Sequence, residues 1–260
     1  PLADLGGSLL QAQAIDDAVA EFVPVEANVT SFRVTNGILA YGLVESISDE
    51  DLLANRDAQP EGQRGEAHMV PTFEGPKDPL LVGRFGWKAQ VATVLTFSAD
   101  AAQNEMGLSN RFLPFDNAPN GNMKLLAKYD NVSDPEDVTD EFGFDFIDRV
   151  TDFQRFLAPP PQTPKFGMSG EIVFNAIGCN VCHTPSFTTA DNPDIETPLR
   201  NVDIRPYGDF LLHNMGLAGD GIVQGAGDGQ ELKTPPLWGL AYRNPLWHDG
   251  RFSAGTFESR

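Results

Sequence analysis

The sequence predicts a mainly α-helical protein in two parts: a small helical domain after a proline run, packed on a larger, irregular helical domain with some short strands. Three observations predict it. Phe142, Phe146, Val150, Phe153 and Leu157 recur at spacings of three and four, which puts them on one stripe of a helix. Pro159, Pro160 and Pro161 then end that helix, because proline has no backbone N–H to donate and its ring clashes with the preceding turn. Beyond the break Met168, Ile172, Val173, Phe174 and Ile177 resume helical spacing.

Taken in order, the chain opens with short alternating apolar runs separated by turn residues. Ser48 to Asp51, just before Leu52 and Leu53, reads as a helix start, with a hydroxyl cap and acidic residues in the first turn. The phenylalanine stripe is expected to face the core of the larger domain. The proline run divides the chain into 1–157, a linker at 158–167 and a second domain at 168–260, a size at which a prosthetic group would supply much of the core. Ser169 can cap the helix that follows the linker. Gly216, Gly219, Gly221, Gly225, Gly227 and Gly229 mark a long, tightly turning loop with little regular structure.

Composition narrows the function. With 260 residues and 41% hydrophobic content, the chain can bury a sizeable core. No run approaches the ~18 apolar residues of a membrane span, and PLADLGGSLLQAQ has no basic-then-apolar leader, so any export signal is expected to be gone already. Eighteen basic residues against 37 acidic ones give a net charge of −19, which repels nucleic acid and anionic lipid. The same charge suits either plain solubility or docking to a basic redox protein.

The only two cysteines stand in Gly178-Cys179-Asn180-Val181-Cys182-His183. Cys-x-x-Cys-His is the attachment pattern of c-type haem. Over about one helical turn the two sulfurs reach the two vinyl groups of the macrocycle, and the next residue lies under the iron, so His183 becomes an axial ligand. Three other readings compete. A dithiol redox motif wants a βαβ context that is not evident. A zinc site needs four ligands and would have to recruit distant histidines. A plain disulfide leaves His183 without a role. The haem reading makes the second domain cytochrome c-like, with the helix ending at Ile177 delivering Cys179 to the haem edge and Thr234 and Pro235 wrapping the opposite edge, where close backbone excludes water.

For the sixth position of the iron the candidates are few. Met215 would give a His/Met pair of raised potential. His213 and His248 are weaker alternatives, and an open iron or a ligand beyond Arg260 are the remaining ones.

Further words resemble the di-haem oxidoreductases related to bacterial cytochrome c peroxidases, also called thiol oxidoreductase-like. Gly83-Arg-Phe-Gly-Trp87-Lys-Ala89 followed by Glu105-Met106-Gly107 is similar to the family's first-domain signature. Leu211-Leu-His213-Asn-Met215-Gly216, Thr234-Pro-Pro-Leu-Trp238-Gly239 and His248-Asp-Gly250-Arg251 are similar to second-domain words. The resemblance runs from about Gly37 to the end.

The resemblance implies two haems in two domains, one receiving electrons and one reacting with peroxide or another oxidant, with a tryptophan between them. It places Trp87 at that junction and Glu105 as an acid or base beside the reactive haem. It also implies the possibility of calcium between the domains, with no ligands assigned. Two departures stand out: the family's first Cys-x-x-Cys-His has no counterpart here, and glutamine is missing around Leu95-Thr96-Phe97. The chain is therefore expected to be a piece of a longer di-haem protein, lacking the first haem motif and the C-terminal end, or else a one-haem descendant.

The expected function is thus a haem c electron-transfer protein, part of a peroxidase-like oxidoreductase, with one haem here and a second outside the chain. A non-enzymatic cytochrome subunit is the first alternative, and a zinc or dithiol protein the second. Such haem attachment implies the periplasm or the extracellular space, and a redox protein as partner.

Overall fold

The computed structural model describes residues 2–7, 9–161 and 169–253. Among them the helices in chain order are α1 (Tyr41–Glu45), α2 (Asp49–Ala58), α3 (Val94–Met106), α4 (Met123–Tyr129), α5 (Phe146–Arg155) and α6 (Ser169–Ala176). Six short strands form three antiparallel pairs: β1 (Met69–Val70) with β2 (Leu81–Val82), β3 (Phe187–Thr188) with β4 (Asp203–Ile204), and β5 (Leu212–Asn214) with β6 (Glu231–Lys233). Helix, at about 32%, exceeds strand, at about 10%, so the protein is not all-β. Irregular chain exceeds both, as 25 glycines and 20 prolines would lead one to expect.

The chain gathers into two compact units. One comprises the described residues of Pro1–Thr30 and Leu95–Asp152, the other those of Ser31–Val94 and Phe153–Arg260. Residues 31–94, placed by the linear reading with the first domain, thus fold together with the segment that carries the cysteines.

In the first unit the core is Ala99, Ala102 and Ile147, with Leu95, Leu108, Phe112 and Phe146 packed against them. Two alanines on α3 leave room for the branched side chain of α5. Helix α5 starts later than its phenylalanine stripe suggested, because Asp145 caps it: its carboxylate accepts from the Asp148 N–H at 2.9 Å, and Asp148 accepts from the Asp145 N–H at 3.2 Å. Arg111 bonds both carboxylates. The expected stripe is therefore corrected. Phe142 lies outside the helix at 72% exposure and Phe153 is 61% exposed, while Ile147, at 2%, points inward.

In the second unit α2 begins as expected, with Ser48 Oγ accepting from the Asp51 N–H at 3.0 Å. Helix α1 lies against the end of α5. The Ala40 N–H donates to the Leu157 carbonyl at 2.8 Å. A Cβ on Gly42 would stand 2.3 Å from the Arg155 carbonyl oxygen, so only glycine permits that approach. Tyr41 packs on Phe85 with ring centroids 4.6 Å apart and planes tilted by 41°, and Val44, Ile47, Leu52, Val82, Phe210, Leu211 and Leu212 complete a buried core. Leu212 pairs both ways, with Lys233 of β6 and with Glu66. No helix among the described residues is long and apolar enough to cross a membrane.

Candidate cofactor site

The site is assembled by three stretches of the second unit: 179–184, 206–213 and 55–65. Helix α6 ends at Ala176, and Gly178, with φ of +84°, turns the chain into a 3-10 turn at Cys179–Val181. A left-handed residue is needed there, and glycine takes it without strain. Ile172, Val173 and Phe174 do lie in the helix and Ile177 in the turn that follows it, whereas Met168 and the Ser169 side chain lie outside the described residues. The apolar side chains Ile172, Val173 and Ile177 are exposed at 72%, 53% and 69%, a face with little of this chain's own core against it.

Cys179 and Cys182 are both unbonded thiols, half-buried. His183 follows directly, its N–H donating to the Cys179 carbonyl at 2.9 Å. Its ring nitrogen Nδ1 lies 2.9 Å from the carbonyl oxygen of Tyr207. A carbonyl only accepts, so Nδ1 carries the hydrogen and Nε2 keeps its lone pair. Phe174 steadies this arrangement edge-on to both rings, 6.2 Å from His183 and 5.6 Å from Tyr207. Tyr207 itself sits at φ of +50° and donates its hydroxyl to Glu171 at 3.0 Å.

Behind the cysteines lies a polar network. Cys182 Sγ is 3.4 Å from His213 Nδ1, and His213 Nε2 is 2.8 Å from Asp209 Oδ2. Asp209 is fully buried and also accepts from Gln59 Nε2 at 2.7 Å and the Leu211 N–H at 3.1 Å. Gln59 in turn donates to the Val181 carbonyl at 2.9 Å and accepts from the Gly65 N–H at 2.7 Å. Burial would lower the pKa of His213, but the hydrogen bonds to Asp209 and Cys182, and their charges, outweigh it and raise the value to about 10. His213 is therefore a charged neighbour of the cysteine.

The other predicted residues are placed as follows. Met215 follows β5, its N–H bonded to the Gln230 carbonyl at 2.8 Å and its side chain 38% exposed; the group brought to Cys182 is His213. Thr234 is buried, its N–H donating to the Leu211 carbonyl at 3.0 Å. Pro235 lines a cavity of about 310 Å³. Trp87 donates its indole N–H to the Val34 carbonyl at 2.7 Å and meets His248 edge-on at 6.2 Å. Glu105, near the end of α3, belongs to the other unit; its carboxyl pKa lies above the ordinary value, chiefly because surrounding chain limits its solvation and secondarily because of Asp100. His248 is buried, with Nε2 3.1 Å from the Ala218 carbonyl and Nδ1 without a partner.

Sequence reasoning missed Tyr207, Asp209, Gln59 and Lys233. Tyr207 acts through its backbone carbonyl, which no side-chain pattern reveals. Lys233 is fully buried, where lysines are seldom found unpaired, and its neighbours come from distant positions.

The model of the family described as "di-haem oxidoreductase, putative peroxidase" matches residues 21–258. The chain belongs to the di-haem oxidoreductase family. That membership carries an oxidoreductase role and a haem cofactor. No curated protein and no solved structure matches the chain.

The residues fit the family's cofactor. Both thiols are unbonded, and His183 offers an unencumbered Nε2. His213 Nδ1 can donate to the Cys182 sulfur whether that sulfur is a thiol or a thioether. The apolar face of α6 beside the motif suits a porphyrin. Among the described residues, no three or more His, Cys, Asp and Glu side chains converge as an ion site, so neither zinc nor calcium is given a ligand set here.

Proposed function

We propose that Cys179 and Cys182 hold a haem through two thioether bonds, that His183 Nε2 ligates its iron, and that the chain passes electrons within a peroxidase-like oxidoreductase. The observation that carries this is the hydrogen bond from His183 Nδ1 to the Tyr207 carbonyl, which fixes the ring and its tautomer for ligation through Nε2. A bound haem supplies reversible one-electron chemistry.

The chain's own residues set its terms. The Nδ1–H···O=C bond raises the basicity of the ligating nitrogen. His213 Nδ1 faces the Cys182 sulfur at 3.4 Å and is held there by Asp209. Gln59 anchors the motif turn through the Val181 carbonyl, so that the sulfurs keep their spacing. In this reading residues 168–260 form a cytochrome c-like domain, Met215 is the sixth ligand, and Thr234 and Pro235 border the haem. Trp87 serves electron passage toward a second haem held outside this chain, and Glu105 serves as the acid or base there. The attachment chemistry places the protein in the periplasm or outside the cell, and the net charge of −19 suits a basic redox protein as partner.

The test is the absorption spectrum of the full-length protein, oxidised, reduced and after pyridine, with haem counted per chain. Two c haems, one of them high-spin and altered by peroxide, support the enzyme reading. One low-spin c haem indifferent to peroxide makes the protein an electron carrier only. No Soret band removes the haem and leaves a zinc or dithiol protein.

A further inference from the structure

The two cysteines of the motif are held differently. Cys179 Sγ has no hydrogen-bond partner among the described residues, whereas Cys182 Sγ lies 3.4 Å from His213 Nδ1. A cysteine side chain turns about one bond with three staggered positions, so a partner on the sulfur selects one of them. Of the two, only Cys182 has that restraint.

His213 is itself fixed. It sits on β5, its Nε2 2.8 Å from Asp209 Oδ2 and its side chain 10% exposed. A Cβ on Gly65 would stand 2.7 Å from that same Nε2, so glycine there lets the backbone close against the ring. Asp209 accepts from Gln59 Nε2 at 2.7 Å, and Gln59 reaches back to the Val181 carbonyl, between the two cysteines, at 2.9 Å. Val181, Gln59, Asp209, His213 and Cys182 thus form a circuit of hydrogen bonds that leaves the motif turn and returns to it at one sulfur.

A mere prop would not need this chemistry. A buried carboxylate loses its hydration, and apolar side chains of similar volume support a turn as well or better. What the circuit adds is direction. An ionised carboxylate only accepts, so His213 Nε2 carries a hydrogen; Nδ1 then accepts from the Cys182 thiol or, when the ring is charged, donates to its sulfur. The sulfur is held at the same place in both cases.

We propose that His213, fixed by Asp209, is the positioning residue that aims the Cys182 sulfur for its thioether bond, while Cys179 relies on the turn alone. The proposal rests on the reading of Cys179, Cys182 and His183 as the haem attachment. The bond formed is a thiol addition. The Cys182 sulfur bonds the inner carbon of a vinyl group, the S–H bond breaks, and a hydrogen goes to the outer carbon, with no net oxidation or reduction.

The test uses full-length protein matured with haem, as wild type, His213→Gln and His213→Asn. Haem is counted per chain, the peptides carrying it are identified by mass, and the reduced pyridine spectrum reports any vinyl group left unsaturated. Glutamine extends its amide toward Asp209 and leaves nothing facing the sulfur, while asparagine carries its amide where Nδ1 stands. In His213→Gln, attachment at Cys182 is expected to fall about fivefold relative to Cys179, the weight of one ordinary hydrogen bond, and the pyridine band to move to longer wavelength. His213→Asn is expected to restore most of it. Wild-type protein without haem ends the attachment reading and this proposal with it. With haem present in the wild type, equal loss at both cysteines makes His213 a prop for the fold, and an unchanged ratio makes it idle; both overturn the proposal and leave the attachment intact. An asparagine variant no better than the glutamine one also overturns it, since a polar group facing the sulfur then has no effect.

Discussion

His183 Nδ1 stands 2.9 Å from the carbonyl oxygen of Tyr207, a residue held at φ of +50°. The hydrogen bond comes from backbone, so substitutions at Tyr207 reach it only by moving the chain. Replacing the hydroxyl alone, Tyr207→Phe, removes the bond to Glu171 and is expected to cost about 0.5–1.5 kcal/mol of stability while leaving the haem spectrum low-spin. His183→Ala removes the ligand itself and is expected to abolish the low-spin spectrum. Paired spectra and urea titrations of the two variants check both outcomes.

Asp209 anchors the network behind Cys182, accepting from Gln59, His213 and the Leu211 N–H. Asp209→Asn removes the charge that sustains His213. Burial then opposes only the Cys182 contact, so the imidazole pKa is expected to fall from its value of about 10. A raised pKa contributes stability that is full below 6.5 and is lost as pH rises through about 10. Wild-type stability should therefore decline on the alkaline side and the variant's decline should be smaller. Imidazole proton shifts followed by NMR, with denaturation at several pH values, measure the two effects.

These relationships divide what the sequence reveals from what it conceals. Local chemistry was legible: the Ser48 cap, the end of α5 before the proline run, and the helix feeding Cys179 all depend on neighbours in sequence. The Cys-x-x-Cys-His pattern is visible in the sequence itself, whereas the Tyr207 carbonyl behind His183 is not. The phenylalanine stripe misled, since phenylalanines at helical spacing continue past the Asp145 cap, and the buried side chain proved to be Ile147. Non-local pairing was hidden: nothing at Gln59 announces a bond to Val181, and nothing in the sequence around Lys88 or Lys233 announces a buried ammonium. The family match supplies the oxidoreductase class, whereas the circuit behind Cys182 emerges only from the folded arrangement.

Lys88 and Asp220 form a fully buried ion pair at 2.9 Å, with Arg33 on the same carboxylate at 2.7 Å. Burial would raise the Asp220 pKa, but the Lys88 hydrogen bond, the Ile222 N–H and Arg33 bring it below 3.8. A depressed carboxyl pKa stabilises above the unfolded value and loses that contribution as pH falls through the folded one. Lys88→Met leaves Asp220 with Arg33 as its one remaining cation beside the Ile222 N–H, and takes the ammonium from the carbonyls of Asp228 and Glu231. The expected cost is about 3–5 kcal/mol at neutral pH, with acid unfolding beginning at a higher pH than in the wild type. Urea titration at neutral pH and an acid titration followed by circular dichroism measure each part.

The two readings of α5 predict opposite rankings for two substitutions. If the stripe through Phe153 were the core face, Phe153→Ala would cost the ~3–5 kcal/mol of a buried aromatic. With Phe153 61% exposed, the expected loss is within about 0.5 kcal/mol. Ile147 is 2% exposed and packs on Ala99 and Ala102, and neither alanine can swell to fill the space its removal leaves. Ile147→Ala is therefore expected to cost about 2–5 kcal/mol, the upper part of the range applying because the small neighbours cannot collapse into the hole. Urea midpoints with unchanged slopes separate the two cases, and an Ile147→Ala variant less damaged than Phe153→Ala would return the core face to the phenylalanines.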